Sequence, residues 1–264
     1  MIAYNFFVSY LCASKHEQFM ASQGENIKNF FDSFQNRGGR FHILENRVPV
    51  EQQKEYFKYA QFVRKVLKKM DDRDFDRCQR VLESVELPKE DKKKILALLA
   101  SSAEVKAYRM IEKYIQHPDE ELLNWASMAL MECKMGLESE LLDEKQIYIS
   151  TGLGGKEGKL RYYVLILSFQ CAAFKAFQRR VIEKEFGYVL PQNDCEIERL
   201  TIKNCYLELV FLIPVTADFR VIIESVIEEC NIYGNFLSHA YIVTNIKELN
   251  QSEINQIIRK TKKV

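Results

Sequence analysis

Two segments decide the fold: Tyr163-Val-Leu-Ile-Leu-Ser-Phe169 and Glu208-Leu-Val-Phe-Leu-Ile-Pro214. Each is an apolar run of strand length, rich in β-branched and aromatic residues. Slid by about 45 residues, the two runs and the residues after them line up. Identical pairs are Leu167/Leu212, Ala172/Ala217, Phe174/Phe219, Val181/Val226, Ile182/Ile227, Glu183/Glu228 and Tyr188/Tyr233, and Lys175/Arg220 keeps the charge. After each run the apolar period switches from that of a strand to that of a helix. Phe219, Ile222, Ile223, Val226, Ile227 and Cys230 fall on one helical face. Pro214 ends the strand, Thr216 or Asp218 can cap the helix, and Gly234 comes just after its end. The first half repeats this with Gly187 as its stop.

Between the halves, residues 195–202 alternate polar and apolar side chains, as a half-buried strand does. Lys203-Asn204 makes a tight turn into the next strand. His239-Ala-Tyr-Ile-Val-Thr-Asn245 reads as a last strand. The order from residue 160 is therefore β-α-β-β-α-β, the ferredoxin-like arrangement of two helices on one face of an antiparallel sheet. A further strand at 146–151 is expected to precede it, paired through the glycine-rich loop, and a final helix at 252–262 to come after it.

Working outward, 264 residues suffice for two modest domains. Apolar content of 47% and charged content of 28% are those of a globular chain that needs no staples. A net charge of +1 announces neither a nucleic-acid nor a membrane surface field. The seven cysteines are scattered, odd in number and without a CxxC pair, which points to reduced thiols and a cytoplasmic location. No histidine has metal-ligand spacing to a cysteine, so no metal or cofactor is expected. No stretch approaches membrane-spanning length. Residues 1–19 resemble a weak secretory h-region without its basic start, and Met20 offers an alternative translation start.

Residues 1–50 form an N-terminal segment with a short amphipathic helix at 27–34 and an Asn36-Arg-Gly-Gly-Arg40 turn. From 51 to 143 the pattern is almost wholly helical. Tyr56, Tyr59, Phe62, Val63, Val66, Leu67 and Met70 form one stripe, and Phe75, Cys78, Val81, Leu82 and Val85 a second. Pro88 with Asp91 opens a third helix, and a fourth runs over 103–115. Within this span, Ile111 and Ile115 end a helix, His117-Pro118-Asp119 turns, Glu121-Leu122 forms an acidic–aliphatic pair, and Ala126 and Ala129 supply small residues on the next helix. This pattern resembles a HEAT-type helical repeat over about 95–142. The resemblance implies protein–protein interaction, with Trp125 as the candidate anchor for a partner.

The loop Ser150-Thr-Gly-Leu-Gly-Gly-Lys-Glu-Gly-Lys159 invites comparison with a phosphate loop but lacks GxxxxGK[ST] spacing and precedes a strand. Its Lys156 and Lys159, with Arg161, remain candidates to meet an anionic partner. Arg259, Lys260, Lys262 and Lys263 form a basic tail to which Arg179-Arg180 adds if near in space. Glu196, Glu198 and Glu208 offer carboxylates that would share a face of the hairpin, with nothing in the sequence to tune them for catalysis. No catalytic constellation is expected. The fold class expected is α+β: a helical, HEAT-like module over 51–143, then a ferredoxin-like α/β sandwich over 144–264 with a duplicated strand–helix unit. The function expected is that of a non-catalytic cytoplasmic adaptor or regulatory protein whose partner is another protein. An RNA- or ribosome-associated factor is the alternative, and a small-ligand-sensing module a second one.

Overall fold

The computed structural model describes residues 4–6, 10–12, 40–67, 69–142 and 146–262. The helix expected at 27–34, most of the glycine–arginine turn and Lys263 lie outside these residues. The chain divides into a helical unit, residues 1–5 and 38–149, and an α/β unit, residues 6–37 and 150–264.

The helical unit is built from α1 (Val50–Val66), α2 (Asp72–Glu83), α3 (Lys89–Ser102), α4 (Val105–Tyr114) and α5 (Leu123–Leu142), with a 3-10 turn at Glu120–Leu122. Asp71 and Asp74 cap the start of α2 reciprocally, and Pro88 precedes α3. The buried seam of α1 is Gln53, Tyr56, Phe57, Ala60 and Val63. It is narrower than the expected stripe, because Phe62 and Val66 face solvent. Val85 is also exposed, since α2 stops at Glu83 and the helical period no longer carries Val85 inward. Ala126 and Ala129 are fully buried on α5. A side chain at Gly136 would put its Cβ 2.5 Å from that of Ala103, so glycine is what lets the end of α3 reach α5.

Two short strands, β1 (Tyr4–Phe6) and β2 (Tyr10–Cys12), precede β3 (Arg40–Ile43). β4 (Gln146–Ser150) lies where a strand was expected, but it pairs in parallel with β3, Arg40 opposite Gln146, and not through the glycine-rich loop. The reason is visible in the main sheet. β5 (Gly155–Lys156) makes a small hairpin with the start of β6 (Lys159–Ser168), and both edges of β6 are taken by later strands.

The α/β unit continues with α6 (Ala176–Gln192), β7 (Glu196–Ile202), β8 (Tyr206–Pro214), α7 (Phe219–Asn231), β9 (Leu237–Thr244) and α8 (Gln251–Thr261). The strand order is β2-β9-β6-β8-β7, with β6 antiparallel to both β8 and β9, and β2 on the outer edge of β9. β6 and β8 are central and buried on both faces, which is why the two opening segments are continuous apolar runs. β7 is an edge strand with no fully buried residue, and an irregularity between Ile197 and Arg199 breaks the alternation expected of it. One face of the sheet packs Val164, Ile166, Leu209 and Phe211 against Ile182, Phe186, Ile223 and Ile227 of α6 and α7. The other face packs Leu165, Leu167 and Val210 against Ile254 of α8 and Leu153 of the glycine-rich loop. Gly187 does not stop the first helix: α6 runs through it and ends at Gln192, one residue after Pro191. The period of Ile182, Phe186, Val189 and Leu190 continues across Gly187, so burial of that face outweighs the roughly 1 kcal/mol that glycine costs a helix.

Candidate nucleic-acid interface

The cations of the glycine-rich hairpin are already engaged. Lys156 pairs with Glu196 at 3.3 Å and Lys159 with Asp194 at 2.7 Å. Arg161 takes Glu198 with two nitrogens and donates a third bond, 2.7 Å long, to the Leu153 carbonyl. The Glu198 carboxylate holds the Arg161 pKa above its ordinary value, and Asp194 does the same for Lys159. Residues 151–155 are buried, and a Cβ on Gly152 would stand 1.9 Å from the Ile246 carbonyl oxygen. The loop is a clamp onto β7 and the Ile246 backbone, and its cations neutralise the edge carboxylates.

The expected carboxylate cluster is likewise divided among partners. Glu196 and Glu198 are held as above, and Glu208 accepts a 2.9 Å bond from the Tyr163 hydroxyl. Tyr163 is fully buried, and burial together with the Glu208 charge pushes its phenol well above the ordinary value. The bond ties the side chains of neighbouring strands β6 and β8 together at the centre of the sheet. Arg199 meets Glu248 beside it. Among the described residues, no three His, Cys, Asp or Glu side chains group as a metal would need. No helix among them is long and apolar enough to cross a membrane.

Trp125, the expected partner anchor, is 6% exposed. Its Nε1 donates to the Lys93 carbonyl at 3.0 Å, and its ring meets Tyr56 edge-on with centroids 5.1 Å apart. The ring is a core element of the helical unit.

The other end of β6 differs in kind. There the Phe169–Cys171 turn, the start of α6, the β7–β8 turn and the end of α8 converge. Arg179 donates to the carbonyls of Ile202 at 2.9 Å and Lys203 at 2.8 Å, and the Phe174 amide donates to the Asn204 carbonyl at 2.7 Å. Lys262 lies close enough to Cys171 for its charge to act on that thiol. Lys175, Arg180, Lys203 and Lys262 are exposed, and among the described residues none has a carboxylate partner. No acidic residue occupies the first turn of α6. A helix N-terminus carries partial positive charge and favours acids, so Lys175, Arg179 and Arg180 there add like charge to like. Exposed Phe169 and Phe177 stand among these cations. Arg259 and Lys260 occupy the last turn of α8, where they complement its dipole. Of these groups, the sequence singled out Arg179-Arg180 and the tail. Lys175 and Lys203 were missed as interface residues, because only long-range bonds, from Phe174 to Asn204 and from Arg179 to Ile202 and Lys203, bring them together.

No family model matches the chain, and no curated protein matches it. Two solved structures resemble part of it. One is described as a "putative transposase" from Deinococcus radiodurans R1, with 15% identity and a TM-score of 0.35 over 40% of this chain and 94% of that one. The other is a REP-associated tyrosine transposase bound to a REP hairpin, with 11% identity and a TM-score of 0.30 over 39% of this chain and 63% of that one. Both are described as transposases and neither as a protein-binding adaptor, so the adaptor expectation that the HEAT-type resemblance implied is not carried further. The burial of Trp125 removes the physical basis of that expectation as well. At this TM-score the likeness assigns no function in its place.

Proposed function

We propose that the α/β unit is a ferredoxin-like module that binds nucleic acid through the phosphate backbone, at the end of the sheet where α6 begins. The observation that carries this reading is the set of four exposed, unpaired cations, Lys175, Arg180, Lys203 and Lys262, around a helix N-terminus that has no acid. On the glycine-rich hairpin and the β7 edge, by contrast, Lys156, Lys159, Arg161 and Arg199 are matched by carboxylates. Unpaired cations held on a rigid frame are what a polyanion selects, since contact releases counterions from the nucleic acid without first breaking ion pairs in the protein. Phe169 and Phe177 offer apolar faces to sugars or bases beside those cations. The test is fluorescence anisotropy of end-labelled DNA, single-stranded and duplex, titrated with the full chain at low salt. Binding at micromolar protein that is lost in a Lys175→Gln/Lys203→Gln variant, and kept in Lys156→Gln, supports the reading. Absence of binding to either probe, or equal loss in both variants, overturns it.

A further inference from the structure

Two thiols share one apolar cluster at the basic end, close enough to act on each other electrostatically, and the proposed DNA contact uses neither. Cys171 closes the Phe169–Cys171 turn, and Cys205 precedes β8. The loop that carries Cys171 is pinned at both flanks to the β7–β8 turn. The Ser168 amide donates to the Cys205 carbonyl at 2.9 Å, and the Phe174 amide donates to the Asn204 carbonyl at 2.7 Å. Cys171 lies midway between those two bonds, and both cysteines belong to the same apolar cluster. Gln170 and Cys171 hold φ at 54° and 52°, a region that side-chain-bearing residues enter only when their surroundings impose it. Cys171 is 7% exposed, whereas Cys205 is half-buried and reachable from solvent. Both are free thiols. Elsewhere, Cys78 and Cys133 sit in the helical core, and Cys195 and Cys230 lie on the other face of the sheet.

We propose that Cys171 and Cys205 are a redox modification site, forming a reversible disulfide when the protein meets a peroxide. The Cys205 thiolate attacks one peroxide oxygen, the O–O bond breaks, and a sulfenic acid forms as water or an alcohol leaves. The Cys171 sulfur then displaces hydroxide from the Cys205 sulfur, giving the S–S bond and a second water. Two thiols lose two electrons in all, and the peroxide gains them. Access sets the order of the roles. Cys205 is the more accessible partner, while burial raises the Cys171 thiol above its ordinary value and keeps it in reserve, with the Lys262 charge opposing that rise. The loop geometry that pairs the two thiols is independent of any bound nucleic acid.

The experiment treats the full chain with equimolar hydrogen peroxide, blocks remaining thiols with N-ethylmaleimide and maps proteolytic peptides by mass. The expected product joins the Cys171 and Cys205 peptides, about 2 Da lighter than their sum, and is reversed by dithiothreitol. Cys205→Ser and Cys171→Ser each abolish it, and Cys230→Ser leaves it intact. Cys205→Ser changes a half-exposed position and keeps the test valid if the buried Cys171→Ser fails to fold. Both thiols unreacted, Cys205 carried on to sulfinic acid without a cross-link, or a Cys205 bond to a second chain would overturn the proposal.

Discussion

Neutralising Lys175 and Lys203 together should change how DNA binding responds to salt. Each phosphate neutralised contributes about 0.9 to the slope of log K against log salt. Four phosphate contacts, one each from Lys175, Arg180, Lys203 and Lys262, give a wild-type slope of about 3.6 in magnitude. Between about 50 and 200 mM salt, that is a loss of roughly 150-fold in affinity. With Lys175→Gln and Lys203→Gln combined, two contacts remain, the slope falls to about 1.8 and the loss to roughly 12-fold. The difference is large enough to read by anisotropy of a labelled duplex across four or five salt concentrations, with far-UV circular dichroism to check that the variant is folded. Neither lysine has a hydrogen-bonded side-chain partner that its loss would orphan, so stability should hold within about 0.5 kcal/mol. A wild-type slope near zero, or a double-variant slope equal to that of wild type, would refute the assignment of phosphate contacts to this end.

The geometry sets three other outcomes. Glu198→Gln leaves the buried Arg161 side chain without its carboxylate, and should cost about 1–2 kcal/mol after allowance for solvent screening at the rim; an unchanged urea midpoint would count against the clamp. Burial raises the Glu132 pKa above its value in the unfolded chain, against the opposing pull of Tyr56, Arg64 and Ser101. The native state therefore holds that proton more firmly, so this contribution is complete below the unfolded value of 4.5 and is lost as pH rises through the folded value. Stability of the helical unit should fall over that window and flatten in Glu132→Gln, and the fluorescence of Trp125, the one tryptophan, reports it during urea unfolding. Gly152→Ala should destabilise the α/β unit by about 1–3 kcal/mol because its Cβ meets the Ile246 carbonyl, whereas Gly187→Ala, with open space around it, should stabilise α6 by about 0.5–1 kcal/mol; thermal melts that rank the two the other way would show that the loop can yield.

Much of the α/β unit was legible in the sequence, for a local reason. Central strands must be apolar on both faces, so β6 and β8 announced themselves, and the switch to a 3.6-residue period marked α6 and α7. Turn chemistry at Lys203-Asn204 and the cap at Asp218 are likewise properties of a few adjacent residues. Where the signal was local but contested, burial decided. Gly187 reads as a stop, yet α6 passes through it because Val189 and Leu190 still face the core.

What tertiary structure alone decided is which charges are free. Lys156, Lys159 and Arg161 look in sequence like an anion-binding loop, and folding sets each against a carboxylate about 35–40 residues away. Lys175 and Lys203 look like ordinary surface lysines, and folding leaves them unpaired beside a helix N-terminus. The same holds for β4, whose apolar run marked a strand but not its neighbour: β6 had no edge left to offer. The sequence by itself determined the elements and their order, because hydrophobic period and turn residues act within a few positions along the chain. Strand partners, ion pairs and the exposure of a charge depend on what the chain brings together from far apart, and only the folded structure holds those distances.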